Sequence, residues 1–343
     1  MQESMLYFAV ALVVSALLTV LIRRVAERWH IMDQPDALRK FHSKPVALLG
    51  GVALFLTFWG VVGYLYLTQP TLAGLNRLAE PLIVSFFASL AIILIGIIDD
   101  IHPIPAWPRL FLTMAVVLIA ATHGLQLGKL TNPLGGIVAL SGIVGGLFVF
   151  FWLMGAMYTI KITDGLDGLS TGVAAIGALM IAALASSHAF YQPNVSLLAF
   201  IFAGTAAGFL IFNFVPASVF LGESGSLFLG FMLGILAIIS GGKVATAFLV
   251  LAIPAFDLAR VIYLRLKHRS SPFKGDRLHL HYALLSRGWS ERQVVLLFYA
   301  VAAAGGIAAL LLQSREKLIA MVGLAILMIA VGAALSPRVV TDK

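Results

Sequence analysis

The sequence predicts an all-α, polytopic integral membrane protein, and three observations carry that prediction. Of its 343 residues, 61% are hydrophobic and only 11% are charged, with a mean hydropathy of +1.01, outside the range of ordinary soluble domains. A helical span needs about 20 apolar residues to cross roughly 30 Å of hydrocarbon. Eleven stretches are candidates, near 4–22, 46–68, 80–98, 109–122, 135–157, 171–187, 195–212, 225–240, 244–264, 293–312 and 317–335. The basic residues crowd into alternate loops between those stretches, the pattern of the positive-inside rule.

Taken in order, the first stretch lacks a basic leader and is followed by Arg23 and Arg24, so it reads as an anchor with the N-terminus outside. The odd-numbered loops then face the cytoplasm. The first carries Arg28, Arg39, Lys40 and Lys44, the third Asp99, Asp100 and Arg109, and the fifth Lys161, Asp164 and Asp167. The seventh holds Glu223, and the ninth, near 265–292, is the most basic and contains His279 and His281. The even loops hold scattered charges such as Arg77, Lys129 and Glu316. The net charge of +8 is thereby accounted for by loops beside spans, which argues against a nucleic-acid partner. No cysteine is present, which excludes a disulfide framework and a thiolate metal site. Inside the spans ionisable residues are scarce, Asp257 and Arg260 being the exception, which argues against an ion-coupled transporter. No composition break or repeat divides the chain, so residues 1–343 read as one membrane-embedded domain.

The chemistry concentrates in Thr163-Asp164-Gly165-Leu166-Asp167-Gly168-Leu169, a polar island between apolar runs with Lys161 just before it. Two carboxylates three residues apart lie on one side of a helical turn, and the glycines let a ligand approach closely. That combination fits a site for a metal ion and an anionic substrate. It fits equally the capping of a helix beginning near Ser170. Asp99-Asp100 precedes Ile101-His102-Pro103-Ile104-Pro105, whose prolines stop the helix, and reads first as a solvated span end. Glu223, in Leu221-Gly222-Glu223-Ser224-Gly225-Ser226 after Asn213-Phe214-Val215-Pro216, reads as a cap of the eighth span or as part of a phosphate-facing turn.

His279-Leu280-His281 would point both rings the same way if extended. Its readings are a zinc site, which needs three or four ligands, imidazoles on a diphosphate, or a solvated basic loop. Arg39-Lys40-Phe41-His42, with Lys44 and Gly50-Gly51, is a phosphate-binding loop or a positive-inside cluster. Carboxylates alone would repel a phosphate, and cations alone would need no carboxylates. Both on one face point to Mg²⁺, with Mn²⁺ as a substitute, held by one or two carboxylates and shared with substrate phosphates. The basic groups would neutralise the remaining oxygens. A phosphoryl-transfer enzyme with one water-soluble and one lipid substrate fits this layout.

In this order the five segments resemble the polyprenyl-phosphate N-acetylhexosamine 1-phosphate transferases, of glycosyltransferase family 4 type, over residues 33–287. The matching segments are Arg39 to Pro45 with Gly50-Gly51, Asp99-Asp100, Asp164 to Gly168, Gly222 to Ser226, and Asp276 to His281. The resemblance implies eleven spans in the inner (plasma) membrane, a cytoplasmic site, a UDP-N-acetylhexosamine donor, undecaprenyl phosphate as acceptor, Mg²⁺ dependence, and a homodimer as one assembly. It also implies roles: catalysis for Asp99, Asp100, Asp164, Asp167, His279 and His281, and metal binding for Glu223 with Asp164 and Asp167. Substrate binding falls to Arg39, Lys40, His42, Lys161, Asn213, Asp276 and Arg277. Alternatives of another kind are a muramoyl-pentapeptide donor, a non-catalytic lipid-phosphate-binding relative, or a transporter of lipid-linked sugars. The chain departs from the family pattern at Tyr158 and Lys161, where relatives usually have asparagines. Further departures are Ala47 for a proline, Glu223 for an aspartate and Tyr282 for a histidine.

Overall fold

The computed structural model describes residues 2–35, 44–125, 127–132, 136–241, 244–269, 271 and 278–335. Among them lie thirteen α-helices: α1 (Gln2–Arg28), α2 (Gly50–Thr68), α3 (Ala79–Ile101), α4 (Ala106–Thr122), α5 (Gly142–Thr163), α6 (Leu169–Ser186), α7 (Pro193–Asn213), α8 (Gly222–Ile239), α9 (Val244–Val250), α10 (Ala252–Lys267), α11 (Leu280–Leu285), α12 (Glu291–Leu311) and α13 (Ser314–Leu335). Two short 3-10 helices (Leu72–Leu78 and His188–Phe190) and two short antiparallel hairpins, β1 (Met32–Asp33) with β2 (Val46–Ala47) and β3 (Lys129–Thr131) with β4 (Ile137–Ala139), complete the secondary structure of the described residues.

The all-α membrane class holds, and the eleven expected stretches fall on α1 to α8, the α9–α10 pair, α12 and α13. Among the described residues eight helices are long and apolar enough to cross a membrane, and α9 with α10 makes a ninth if the bent pair is one span. The expected ninth span is not a single straight helix: its halves meet at 75°. Pro254, in the first turn of α10, lacks the N–H and would clash with a preceding carbonyl if α9 simply continued. Residues 106–122 form a shorter apolar helix.

Helix α8 is the axis of the bundle. Every residue from Ser224 to Ile238 is buried, and α2, α3, α5, α6 and α7 all pack on it. Lipid is as apolar as leucine, so helices in a membrane associate through close packing and interhelical hydrogen bonds. The α1–α7 contact follows that rule. Ser4, Ala11, Ser15 and Thr19 face inward while Leu6, Val10, Val13, Leu17 and Leu21 are exposed, and Ser15 Oγ donates to the Thr205 carbonyl at 2.7 Å.

Local signals set the helix ends. Ser290 and Gln293 form a reciprocal capping box on α12, and Pro193 opens α7 at a position where its missing N–H costs nothing. After α3, His102 turns extended and Pro103 and Pro105 follow before α4 begins. The ends of α3, α5 and α7 and the starts of α2, α4, α6, α8 and α12 therefore gather at one end of the bundle.

The tightest crossing there is Gly96 of α3 against Ser224 of α8, where an added Cβ would fall on the serine backbone. Gly96→Ala should force the two helices apart, an overpacking cost of about 1–3 kcal/mol, and lower the thermal midpoint in detergent by several degrees. Gly60→Ala, on a face of α2 with open space, should leave the midpoint unchanged. Equal midpoints for the two variants would contradict this packing.

Candidate active site

A cavity of about 500 Å³ opens at that end of the bundle, lined by Asp33, Asp164, Asp167, Asn213, Glu223, Tyr282 and Glu291 among others. The volume suits a small-molecule site. Its lining carries five carboxylates, and more charge lies just behind. Asp99 accepts from the Ile104 N–H at 2.6 Å and from Arg109 Nη1 at 2.5 Å. Arg109 Nη1 also stands 3.0 Å from Glu223 Oε1, while Lys161 Nζ lies 2.8 Å from Glu223 Oε2. The result is a chain of alternating charge, Asp99–Arg109–Glu223–Lys161, drawn from α3, α4, α8 and α5.

Three departures from the family pattern meet in this chain. Lys161 pairs with Glu223, and the Tyr158 ring lies 5.4 Å from Lys161 Nζ, within cation–π range. Tyr158 is held in turn by Thr113 at 3.2 Å. A glutamate at 223, one bond longer than an aspartate, contacts Arg109 and Lys161 together. Among the described residues no other group reaches Glu223 Oε2, which Lys161 meets as an ion pair.

Capping is arranged differently from the sequence expectation. Glu223 does not cap its own helix; Asp100 does so from α3. It accepts from the Glu223 N–H at 2.7 Å and from Ser224 Oγ at 2.7 Å, with the Ser224 N–H at 3.4 Å. Gly222 makes this possible, because its φ of +69° turns those amides toward Asp100. Neither Asp164 nor Asp167 caps α6, whose N-cap is Gly168 with no side-chain bond. Asp167 instead accepts from the Ala217 N–H at 2.8 Å, tying the 164–168 turn to the loop after α7. Asn213 is buried and committed internally: its Oδ1 accepts from Thr171 at 2.7 Å and its Nδ2 donates to the Val219 carbonyl at 3.0 Å.

The loop after α7 also pairs with the β1–β2 hairpin. The Phe220 N–H donates to the Ala47 carbonyl, and the Gly50 N–H to the Phe220 carbonyl. Asp33 and Leu48, flanking that hairpin, line the cavity. Arg39, Lys40 and His42, between its strands, lie outside the described residues, as do Asp276 and Arg277.

The histidine segment is not extended as a whole. His279 is an extended N-cap and His281 sits in the first turn of α11, which still brings the rings parallel, 5.6 Å apart at an interplanar angle of 4°. Neither ring lines the cavity; Tyr282 does. His281 Nε2 is buried without a hydrogen bond among the described residues, directly behind Gly165, where an added Cβ would stand 2.6 Å from it.

The residues fit a divalent cation in one particular way. Burial, and the charges of Glu223, Asp100 and Asp167, push the Asp164 carboxyl well above the usual carboxylate range, with Lys161 opposing. Crowded hard oxygens of this kind are what a cation relieves. Among the described residues no three His, Asp or Glu side chains form a ready-made cage, which leaves the zinc reading without a ligand set. One or two carboxylates of such a lining, with substrate oxygens completing the shell, are enough to hold a divalent cation.

Sequence reasoning passed over Asp33, Arg109 and Glu291 as site residues. Arg109 and Glu291 sit in first turns of helices with no local motif to mark them. Asp257, by contrast, was visible as an ionisable residue inside a span. It is 3% exposed, and its Oδ2 lies 2.9 Å from His279 Nδ1.

The burial of His281 has a pH consequence. Desolvation, reinforced by His279, pushes its imidazole from 6.5 down to about 3. The native state keeps it neutral, so the unfolded chain binds the extra proton as pH falls below 6.5, and stability is lost from there toward pH 3. The advantage of the wild type over His281→Gln should therefore shrink as pH falls, by about 1.4 kcal/mol per unit at most. Parallel unfolding curves from pH 7 to 4.5 would contradict it.

The comparisons with known proteins agree with the motifs. Residues 82–241 match the family model described as Glycosyl transferase family 4. The chain is 29% identical over 325 residues to the Bacillus subtilis protein named Probable undecaprenyl-phosphate N-acetylglucosaminyl 1-phosphate transferase, covering 92% of this chain and 87% of that one. It is 28% identical to the decaprenyl-phosphate N-acetylglucosaminephosphotransferase of Mycobacterium tuberculosis, over 94% of this chain and 86% of the relative. The phospho-N-acetylmuramoyl-pentapeptide-transferase of Lactobacillus delbrueckii subsp. bulgaricus is 30% identical over 89% of this chain and 97% of its own length. The chain belongs to glycosyl transferase family 4, among the polyprenyl-phosphate N-acetylhexosamine 1-phosphate transferases.

Proposed function

We propose that the protein transfers N-acetylglucosamine 1-phosphate from UDP-N-acetylglucosamine to undecaprenyl phosphate, giving the lipid-diphosphate sugar and UMP. The reading places the site on the cytoplasmic face of the inner membrane. One observation carries it: five carboxylates line a cavity, and one of them, Glu223, is met from behind by Arg109 and Lys161. A diphosphate cannot enter so acidic a space without positive charge, and a nucleotide sugar with a divalent cation supplies a matched pair. The names of the Bacillus subtilis and Mycobacterium tuberculosis relatives support the transferred sugar and a polyprenyl-phosphate acceptor.

In the proposed reaction a lipid-phosphate oxygen bonds to the β-phosphorus of the donor. The bond from that phosphorus to the α–β bridging oxygen breaks, and its electron pair leaves with UMP. A phosphate monoester has its second pKa near 6 and is largely dianionic at neutral pH, so a general base contributes little. Asp99 and Asp100 then act through position: Asp99 sets Arg109, and Asp100 sets the first turn of α8 that carries Glu223. Asp164 and Asp167, with Glu223 beside them, would hold Mg²⁺, which when bound neutralises charge on the phosphate oxygens. Lys161 stands behind the lining on α5 and offsets the charge of Glu223.

Purified protein given undecaprenyl phosphate and UDP-N-acetylglucosamine should release UMP in the presence of Mg²⁺ and stop on chelation. Asp164→Asn and Asp167→Asn should each lower kcat by about 10²-fold. Turnover only with UDP-N-acetylmuramoyl-pentapeptide would move the protein to the other branch of the family. No UMP from any donor, with folded protein, would favour lipid-phosphate binding or transport without catalysis.

A further inference from the structure

The histidine segment contains an arrangement that the transferase reading leaves unused. Asp257, in α10, is buried and accepts from three directions. Its Oδ2 lies 2.9 Å from His279 Nδ1, and both its oxygens lie 3.1 Å from the Leu280 N–H. Arg260, one turn further along α10, donates to the Leu278 carbonyl at 2.9 Å and approaches Asp257 Oδ1 at 3.5 Å. Residues 278–280 are thus clamped to α10 by two side chains of opposite charge.

We propose that Asp257 is a positioning residue that acts through His279. An ionised carboxylate only accepts hydrogen bonds, so the His279 nitrogen it faces must carry a proton. That fixes Nδ1–H and leaves Nε2 as the outward-facing nitrogen, the way an outer carboxylate orients a functional imidazole. The ring so held stacks on His281, whose Nε2 lies directly behind Gly165 in the turn that carries Asp164 and Asp167. The Tyr282 ring follows at 4.2 Å from His281 and lines the cavity. Asp257 therefore sets the back wall of the acidic turn although it touches no part of the cavity.

Asp257→Asn keeps the shape and reverses the polarity. The Leu280 N–H still requires an acceptor, so the carboxamide oxygen stays with it and the NH₂ turns toward His279. Nδ1 must then accept, and its proton moves to Nε2. The same substitution in a serine-protease triad gives the wrong tautomer with intact geometry.

The test has two arms. In bilayers, ¹⁵N spectra of histidine-labelled wild-type protein, with His279 assigned through His279→Gln, should show the Nδ1–H tautomer, and Asp257→Asn should show Nε2–H. A wild-type Nε2–H tautomer would overturn the proposal without Asp257→Asn having to fold. The kinetic arm rests on the transferase reading. Asp257→Asn should lower kcat by about 10²-fold with KM for both substrates within about threefold, yet add less than about threefold in a His279→Gln background. Equal losses in both backgrounds would show that Asp257 acts independently of His279 and overturn the proposal. Absence of wild-type turnover with every donor would remove the transferase reading and leave the tautomer measurement to decide this one.

Discussion

Charge pairing at the start of α8 is the constraint on which the rest of the structure depends. Glu223 stands half-buried in the cavity lining where α3, α4, α5 and α8 converge. Arg109 and Lys161 face its two oxygens at 3.0 and 2.8 Å. Each of these cations comes from a different helix, so the pairs also fix how the helices sit against one another. Asp100 fixes the same helix start from the other side, capping α8 across 123 positions of sequence. The close crossing of Gly96 on Ser224 lets that cap reach.

The same arrangement prepares the cavity for phosphate chemistry. With Glu223 matched by internal cations, Asp164 in the lining still bears the cost of burial and the charges of Glu223, Asp100 and Asp167. A site of this kind gains from a divalent cation and from the anionic substrate that the cation escorts. Lys161 and Glu223, two of the departures from the family pattern, form one ion pair with Tyr158 packed beside it. The departures are better understood as a single local redesign of the wall than as separate losses.

Much of this was legible from the chain. Apolar run length locates the membrane helices because hydrocarbon leaves a span few other solutions, and the one-sided loops gather the acidic motifs at one end. What sequence could not supply was who pairs with whom. The Asp100 cap joins α3 to α8, and nothing local to Glu223 announces it. The bend between α9 and α10 had a local sign in Pro254, but hydropathy averaged across it. The stacked histidines depend on Asp257, 22 residues earlier and on another helix. An ionisable residue inside a span was the available clue, and its partner could be named only from three dimensions.

The central claim is that the Lys161–Glu223 contact binds α5 to α8 as an energetic pair, not merely as a proximity. Thermal unfolding of Lys161→Met, Glu223→Gln and the double variant, at one pH and one detergent, measures it directly. The account predicts that the double variant loses less stability than the two single losses summed, with a coupling of about 1–3 kcal/mol. Additive losses would show that the two side chains stand close without holding the helices together, and would contradict it.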